Sequence, residues 1–207
     1  MKNIPLLCVT NRSLCPSEES FLIRLDRIAS ALKGDGAILL REKNLPETEY
    51  DKLAQSCQGI VRSYQTPLIL HSYPSAAEKL ATPLHLPLAL LRKFAENRTL
   101  PTVFGSSVHR VEEAKEAEQL GASYLIAGHI FSTDCKKGLP PRGLNFLHQV
   151  VQSTKLPVYG IGGITAENGR SVLETGAAGL CVMSHWMTCP NVEESIAQYR
   201  SLFHAEN

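Results

Sequence analysis

Along its whole length the chain alternates between short apolar runs, rich in Leu or β-branched residues, and longer stretches whose apolar positions recur at helical spacing. The apolar runs predict strands at Pro5–Thr10, Ala37–Arg41, Pro67–Leu70, Pro83–Leu86, Val103–Ser107, Tyr124–Ala127, Pro157–Ile161 and Gly179–Met183, with the third and fourth the least marked. Between them, Glu18–Leu32 sets Phe21, Leu22, Leu25, Ile28, Ala29 and Leu32 on one face and Arg24, Asp26 and Arg27 on the other. Val111–Leu120 and Leu144–Gln152 repeat that pattern, and Glu193–Phe203 predicts a closing amphipathic helix. Repeated βα units of this kind specify an α/β architecture.

Runs such as YLIA and VYGI are apolar throughout, which suits parallel strands covered on both sides. A doubly wound sheet usually has a glycine-rich turn after its first strand, and Asn11-Arg12-Ser13 stands there instead. About eight units in succession favour a closed (β/α)8 TIM barrel. With 207 residues and no linker, repeat or low-complexity segment, residues 1–207 are expected to form one domain. In such a barrel, function gathers on the turns after the strands' carboxyl ends.

Charge and cysteine content narrow the partners. The 21 basic and 20 acidic residues leave a net charge of +1, without the excess that draws a protein to nucleic acid or anionic membrane, so a small-molecule partner is expected. MKNIPLLCVT is too short an apolar run for a span or leader, which predicts a cytoplasmic protein that is neither exported nor membrane-spanning. Six cysteines without CxxC spacing, Cys8 and Cys181 among them inside strand-like runs, read as free thiols of a reducing compartment. A homo-oligomer stays open.

Several post-strand turns carry candidate chemistry. Gly162 and Gly163 after the seventh strand, with Met183 and Ser184 after the eighth, occupy the positions where barrels hold phosphate, although glycines also serve tight turns. Alternation points Arg41 and Lys43 to the same side at the second strand's end, toward the mouth and an anionic ligand group; a solvated Arg41-Glu42-Lys43 triplet is the plainer alternative. Ser106 and Ser107 offer hydroxyls to a ligand or a cap to the next helix. After the sixth strand, Gly128–Gly138 is too long and polar for a bare connector, and His129 stands one residue past the strand end, placed for proton transfer. Of the other histidines (His71, His85, His109, His148, His185, His204), most must be structural. Cys135 shows no partner that would make it a nucleophile.

The segments LLREK at 39–43, FGSSVHRVEEAKEAEQLGASYLIAGHIFSTDCKKG at 104–138 and YGIGGITAEN at 159–168 resemble the thiamine phosphate synthase/TenI superfamily over nearly the whole chain. Within it, GHIFSTDCKKGLPPRG at 128–143 resembles the TenI branch, the thiazole tautomerases. The resemblance implies a barrel with a site for thiazole phosphate. The synthase branch is expected to couple thiazole phosphate to a pyrimidine diphosphate around a magnesium ion held by aspartates after the third and fourth strands. Here the first of those places reads Ile69-Leu70-His71-Ser72, and residues 70–98 contain no aspartate. Magnesium favours carboxylate oxygens, so coupling is expected to be lost, with no metal and no cofactor. The synthases' Thr-x-Thr-Lys element is altered to Thr133-Asp134-Cys135-Lys136.

The branch resemblance implies an isomerase, a thiazole tautomerase of thiamine biosynthesis that aromatises an exocyclic-ylidene carboxythiazole phosphate by acid–base proton transfer. By that matching His129 is catalytic. Ser107, Thr133, Cys135, Lys136, Gly162, Gly163, Met183 and Ser184 surround the thiazole phosphate, and Arg41 and Lys43 meet a carboxylate or second anion. The alternatives are a thiamine phosphate synthase, a transferase, and a non-catalytic ligand-binding or regulatory TenI-like protein.

Overall fold

A computed structural model describes residues 4–97 and 103–204; the two ends of the expected 1–207 domain and the segment 98–102 lie outside the described residues. Eight strands form the wall: β1 (Leu6–Val9), β2 (Gly36–Leu40), β3 (Leu68–His71), β4 (Leu84–Pro87), β5 (Phe104–Val108), β6 (Tyr124–Gly128), β7 (Val158–Ile161) and β8 (Gly179–Val182). They pair in parallel and in chain order, and β8 returns to β1 through Leu6 opposite Leu180, which closes the barrel. Every expected strand is present, including β3 and β4, the least marked in the sequence.

Strand alternation sorts the side chains into two layers. Leu7 and Val9, Ala37 and Leu39, Ile69, Ile126, Tyr159 and Cys181 fill the interior. Leu6, Cys8, Ile38, Leu40, Leu70 and Leu180 face outward, into the larger core beneath the helices. The helices are α1 (Glu18–Ala31), α2 (Glu47–Arg62), α3 (Pro74–Lys79), α4 (Leu88–Asn97), α5 (Val111–Gln119), α6 (Gly143–Ser153), α7 (Gly169–Glu174), α8 (Ser184–Thr188) and α9 (Val192–Ser201). The α1 helix shows how the pattern works: Ser17 caps it by accepting from Ser20 N–H at 3.1 Å, Glu18 and Glu19 favour its positive end, and Phe21, Leu25, Ile28 and Ala29 are buried. Among the described residues no helix is long and apolar enough to cross a membrane.

Inside the barrel, Tyr124 and Tyr159 meet edge to face with ring centroids 6.0 Å apart. The Tyr124 ring fits only because its neighbour on β5 is glycine: a Cβ on Gly105 would lie 2.2 Å from the ring. The tyrosines fill the base, and the space beyond them, toward the strands' carboxyl ends, stays open.

Candidate active site

At those carboxyl ends the interior opens into a cavity of about 610 Å³. The inward rows of the strands run straight into it. On β2 the series Ala37, Leu39 continues as Arg41 and Lys43, and both cations line the cavity as alternation requires. Neither forms a salt bridge among the described residues. Burial pulls the Arg41 guanidinium below its usual range, and burial followed by the charges of Arg41 and Lys136 does the same to Lys43.

The intervening Glu42 departs from the solvated triplet. It turns the other way and is buried, accepting from Thr10 Oγ1 at 2.8 Å and from Arg12 N–H at 3.0 Å. Thr10 Oγ1 in turn accepts from Arg41 N–H at 2.9 Å, so one hydroxyl ties the β1 end to both residues. Burial raises the Glu42 carboxyl, partly offset by these hydrogen bonds. Thr10→Val, which keeps the shape and removes the hydroxyl, is expected to cost about 1–2 kcal/mol in urea unfolding. A variant as stable as the parent would show that the Thr10–Glu42 link holds nothing.

The β3 and β4 ends contribute two histidines, His71 and His85, whose rings stack 5.8 Å apart. Burial, with lesser effects from Arg41 and Lys43, pushes His71 down to about 3. Burial first, then His71 and Arg41, holds His85 well below its ordinary value. From β5, Ser107 lines the cavity and its Oγ lies 2.8 Å from His85 Nε2. Ser106 faces outward and donates to the Leu86 carbonyl at 3.1 Å, so it is no ligand hydroxyl. Nor do these serines cap α5. That role falls to Glu113, which accepts from His109 N–H at 2.6 Å and Arg110 N–H at 3.2 Å.

The loop after β6 is pinned at its base and arches over the mouth. Arg142 N–H donates to the His129 carbonyl and Gly143 N–H to the Ile130 carbonyl, each at 3.0 Å. His109 Nδ1–H, at 2.7 Å, and Arg142 Nε–H, at 3.1 Å, both donate to the Gly128 carbonyl. The arch brings Thr133, Cys135 and Lys136 to the cavity, and Cys135 Sγ lies 3.3 Å from Ser184 Oγ across the opening. His129 is buried at the cavity wall, and its Nε2 points at the Leu139 carbonyl 3.4 Å away. Gly162 and Gly163 form the facing turn with φ of +103° and +65°. A Cβ at Gly163 would lie 2.4 Å from the Ser132 carbonyl oxygen, so the close approach of this turn to the arch needs glycine.

Thus Arg41, Lys43, Ser107, His129, Thr133, Cys135, Lys136, Gly162, Gly163, Met183 and Ser184 all border one cavity. The sequence reading missed His85 and Tyr124 as participants and the hollow beside the mouth. That hollow, of about 580 Å³, lies between the β1 and β2 turns and shares Asn11, Arg41 and Lys43 with the main cavity. The inward phase of β4 was the available signal for His85, since the residue pairs with Gly105, which shares the inner face of β5 with Ser107.

Comparison with known proteins fits this geometry. The family described as thiamine monophosphate synthase matches residues 6–186. Thiamine-phosphate synthase of Pyrococcus furiosus is 32% identical over 96% of this chain and 94% of its own length. The protein of that name from Syntrophomonas wolfei is 34% identical over 96% and 95%. Among solved structures, thiamine phosphate pyrophosphorylase from Pyrococcus furiosus superposes with a TM-score of 0.80 at 30% identity, covering 98% of this chain and 96% of that one. These relatives are named for synthesis, a transferase activity, and that overturns the expectation of an isomerase. Closed around eight strands and matched over residues 6–186, the chain belongs to the thiamine monophosphate synthase family.

Proposed function

We propose that the barrel mouth binds thiazole phosphate and couples it to a pyrimidine diphosphate, as a transferase forming thiamine phosphate. The observation that carries this reading is one cavity lined both by the Gly162-Gly163 turn with Ser184 and by the cations Arg41, Lys43 and Lys136, in a chain related over most of its length to proteins named thiamine-phosphate synthase. The Gly162-Gly163 turn and Ser184 offer small, close-approaching groups to the thiazole phosphate. Arg41, Lys43 and Lys136 offer charge to a diphosphate, with the adjoining hollow as added room. The new bond forms as pyrophosphate leaves, so negative charge builds where those cations stand. Such a step asks for anion stabilisation rather than a placed acid and base, and His129 enters this reading as a contact residue.

The residues present do not fit the magnesium ion that the resemblance implies. At the β3 and β4 ends stand His71 and His85, held neutral by burial, and Glu42 is turned away into its own hydrogen bonds. Among the described residues no group of three or more His, Cys, Asp or Glu is placed to hold a metal. That same observation favours a second reading, a TenI-like member that binds thiazole phosphate without coupling it.

Thiazole phosphate and pyrimidine diphosphate incubated with the protein, with magnesium and with chelator, separate the two. Thiamine phosphate formed at about 1 per second or faster, read by mass spectrometry, is the expected result. Tight thiazole phosphate binding by calorimetry with no product above the protein-free control would replace it with the second reading.

A further inference from the structure

Between the tyrosine-filled base and the open mouth runs a chain of hydrogen bonds that the proposed function does not use. Tyr124 Oη lies 3.1 Å from His85 Nδ1, and His85 Nε2 lies 2.8 Å from Ser107 Oγ. Tyr124 is fully buried and His85 is 1% exposed, whereas Ser107 is half-buried at the cavity wall. The chain thus has a dry end and a wet end. Gly105 makes it possible by leaving room for the Tyr124 ring.

We propose that Tyr124 and His85 are positioning residues that fix the Ser107 hydroxyl as a hydrogen-bond donor toward an anionic oxygen in the barrel mouth. The direction follows from where each proton can go. A phenolic O–H buried away from water needs an acceptor, and His85 Nδ1 is the one within reach. A neutral imidazole has one donor and one acceptor nitrogen, so an accepting Nδ1 places the proton on Nε2. His85 is kept neutral by its burial, reinforced by His71 and Arg41.

Nε2–H then donates to Ser107 Oγ, which uses a serine lone pair and leaves the serine proton to point elsewhere. Into the cavity is where it can find a partner, on the same opening that Arg41, Lys43 and Lys136 make attractive to anions. The opposite tautomer would leave the Tyr124 proton buried without an acceptor and turn the Ser107 proton back toward His85. Ser107 would then meet the ligand as an acceptor only, unfavourable beside phosphate oxygens. The inference deepens the proposed function in one respect, that an anion occupies the mouth.

Nitrogen-15 NMR of the histidine rings in the ligand-free protein tests the direction of the chain, whatever reaction the site performs. The expected spectrum of His85 has the proton on Nε2 and a bare Nδ1; a proton on Nδ1 would overturn the proposal. Tyr124→Phe removes the controlling proton with little change of shape. It is expected to lose the Nε2–H preference and to weaken binding of inorganic pyrophosphate by about 10-fold, the low end for one hydrogen bond to a charged group. Ser107→Ala should weaken it similarly, and the double variant should be no weaker than Ser107→Ala alone. Additive losses would mean that Tyr124 acts on binding by another route, and would also overturn the proposal. Pyrophosphate failing to bind while His85 shows the expected tautomer would count against the proposed function and leave the chain's direction standing.

Discussion

Unfolding free energy is expected to fall steeply as the pH drops below about 6.5, and the two mouth histidines are the cause. An unfolded histidine titrates near about 6.5, whereas burial pushes His71 in the barrel down to about 3 and holds His85 well below its ordinary value. Between those limits the unfolded chain takes up protons that the folded barrel refuses. The stabilisation is therefore complete above about pH 6.5 and drains away as the pH falls toward the folded values, by up to about 1.4 kcal/mol per pH unit for each group. For His71 alone, about two pH units amount to about 3 kcal/mol, a large share of the whole stability of many domains, and His85 acts in the same direction. Glu42, raised by burial, works in the opposite direction, so the decisive quantity is a difference between proteins. Urea unfolding of wild type and His71→Leu at several pH values should show a flatter acid slope in the variant. Equal slopes would mean that the barrel does not hold His71 neutral.

What the sequence disclosed of this structure was whatever alternation and turn chemistry encode locally. The strand expectations overlap β1 to β8 because each inward row meets an apolar outward row, as Leu7 and Val9 meet Leu6 and Cys8. Arg41 and Lys43 were legible for the same reason, since the β2 alternation simply continues past its last residue. Glu42 was not, because its burial depends on Thr10 and on the Arg12 backbone, about thirty residues away. The Tyr124–His85–Ser107 chain joins three strands through contacts that no local pattern carries, and Gly105 reads as a plain strand glycine until the Tyr124 ring is seen beside it. The isomerase expectation shows another limit. The absence of aspartate near β3 and β4 was a true observation, but what a family member catalyses is settled by its site as a whole and not by its fold or by one missing pair.

Arg41→Met is expected to weaken pyrophosphate binding by about 10–150-fold while leaving the ligand-free protein at least as stable as wild type. The first effect follows from the loss of charge-assisted hydrogen bonds in a partly desolvated site, worth about 1.5–3 kcal/mol for a charged donor. The second follows from the company Arg41 keeps. Burial lowers its guanidinium, the neighbouring Glu42 charge offsets this only in part, Arg41 adds to the lowering of Lys43, and no salt bridge holds it among the described residues. Without ligand, then, the mouth holds like charges close together at a cost, and the anion relieves it. Methionine keeps most of the aliphatic packing that alanine would forfeit. Removing the charge should therefore raise the melting temperature slightly, or leave it unchanged, and bring the Lys43 ammonium back toward its ordinary range. Calorimetry with pyrophosphate and thermal unfolding without it read the two effects separately. A variant that binds normally would place the anion away from the β2 end, and one that binds poorly but is also markedly less stable would make Arg41 a packing residue rather than an anion ligand.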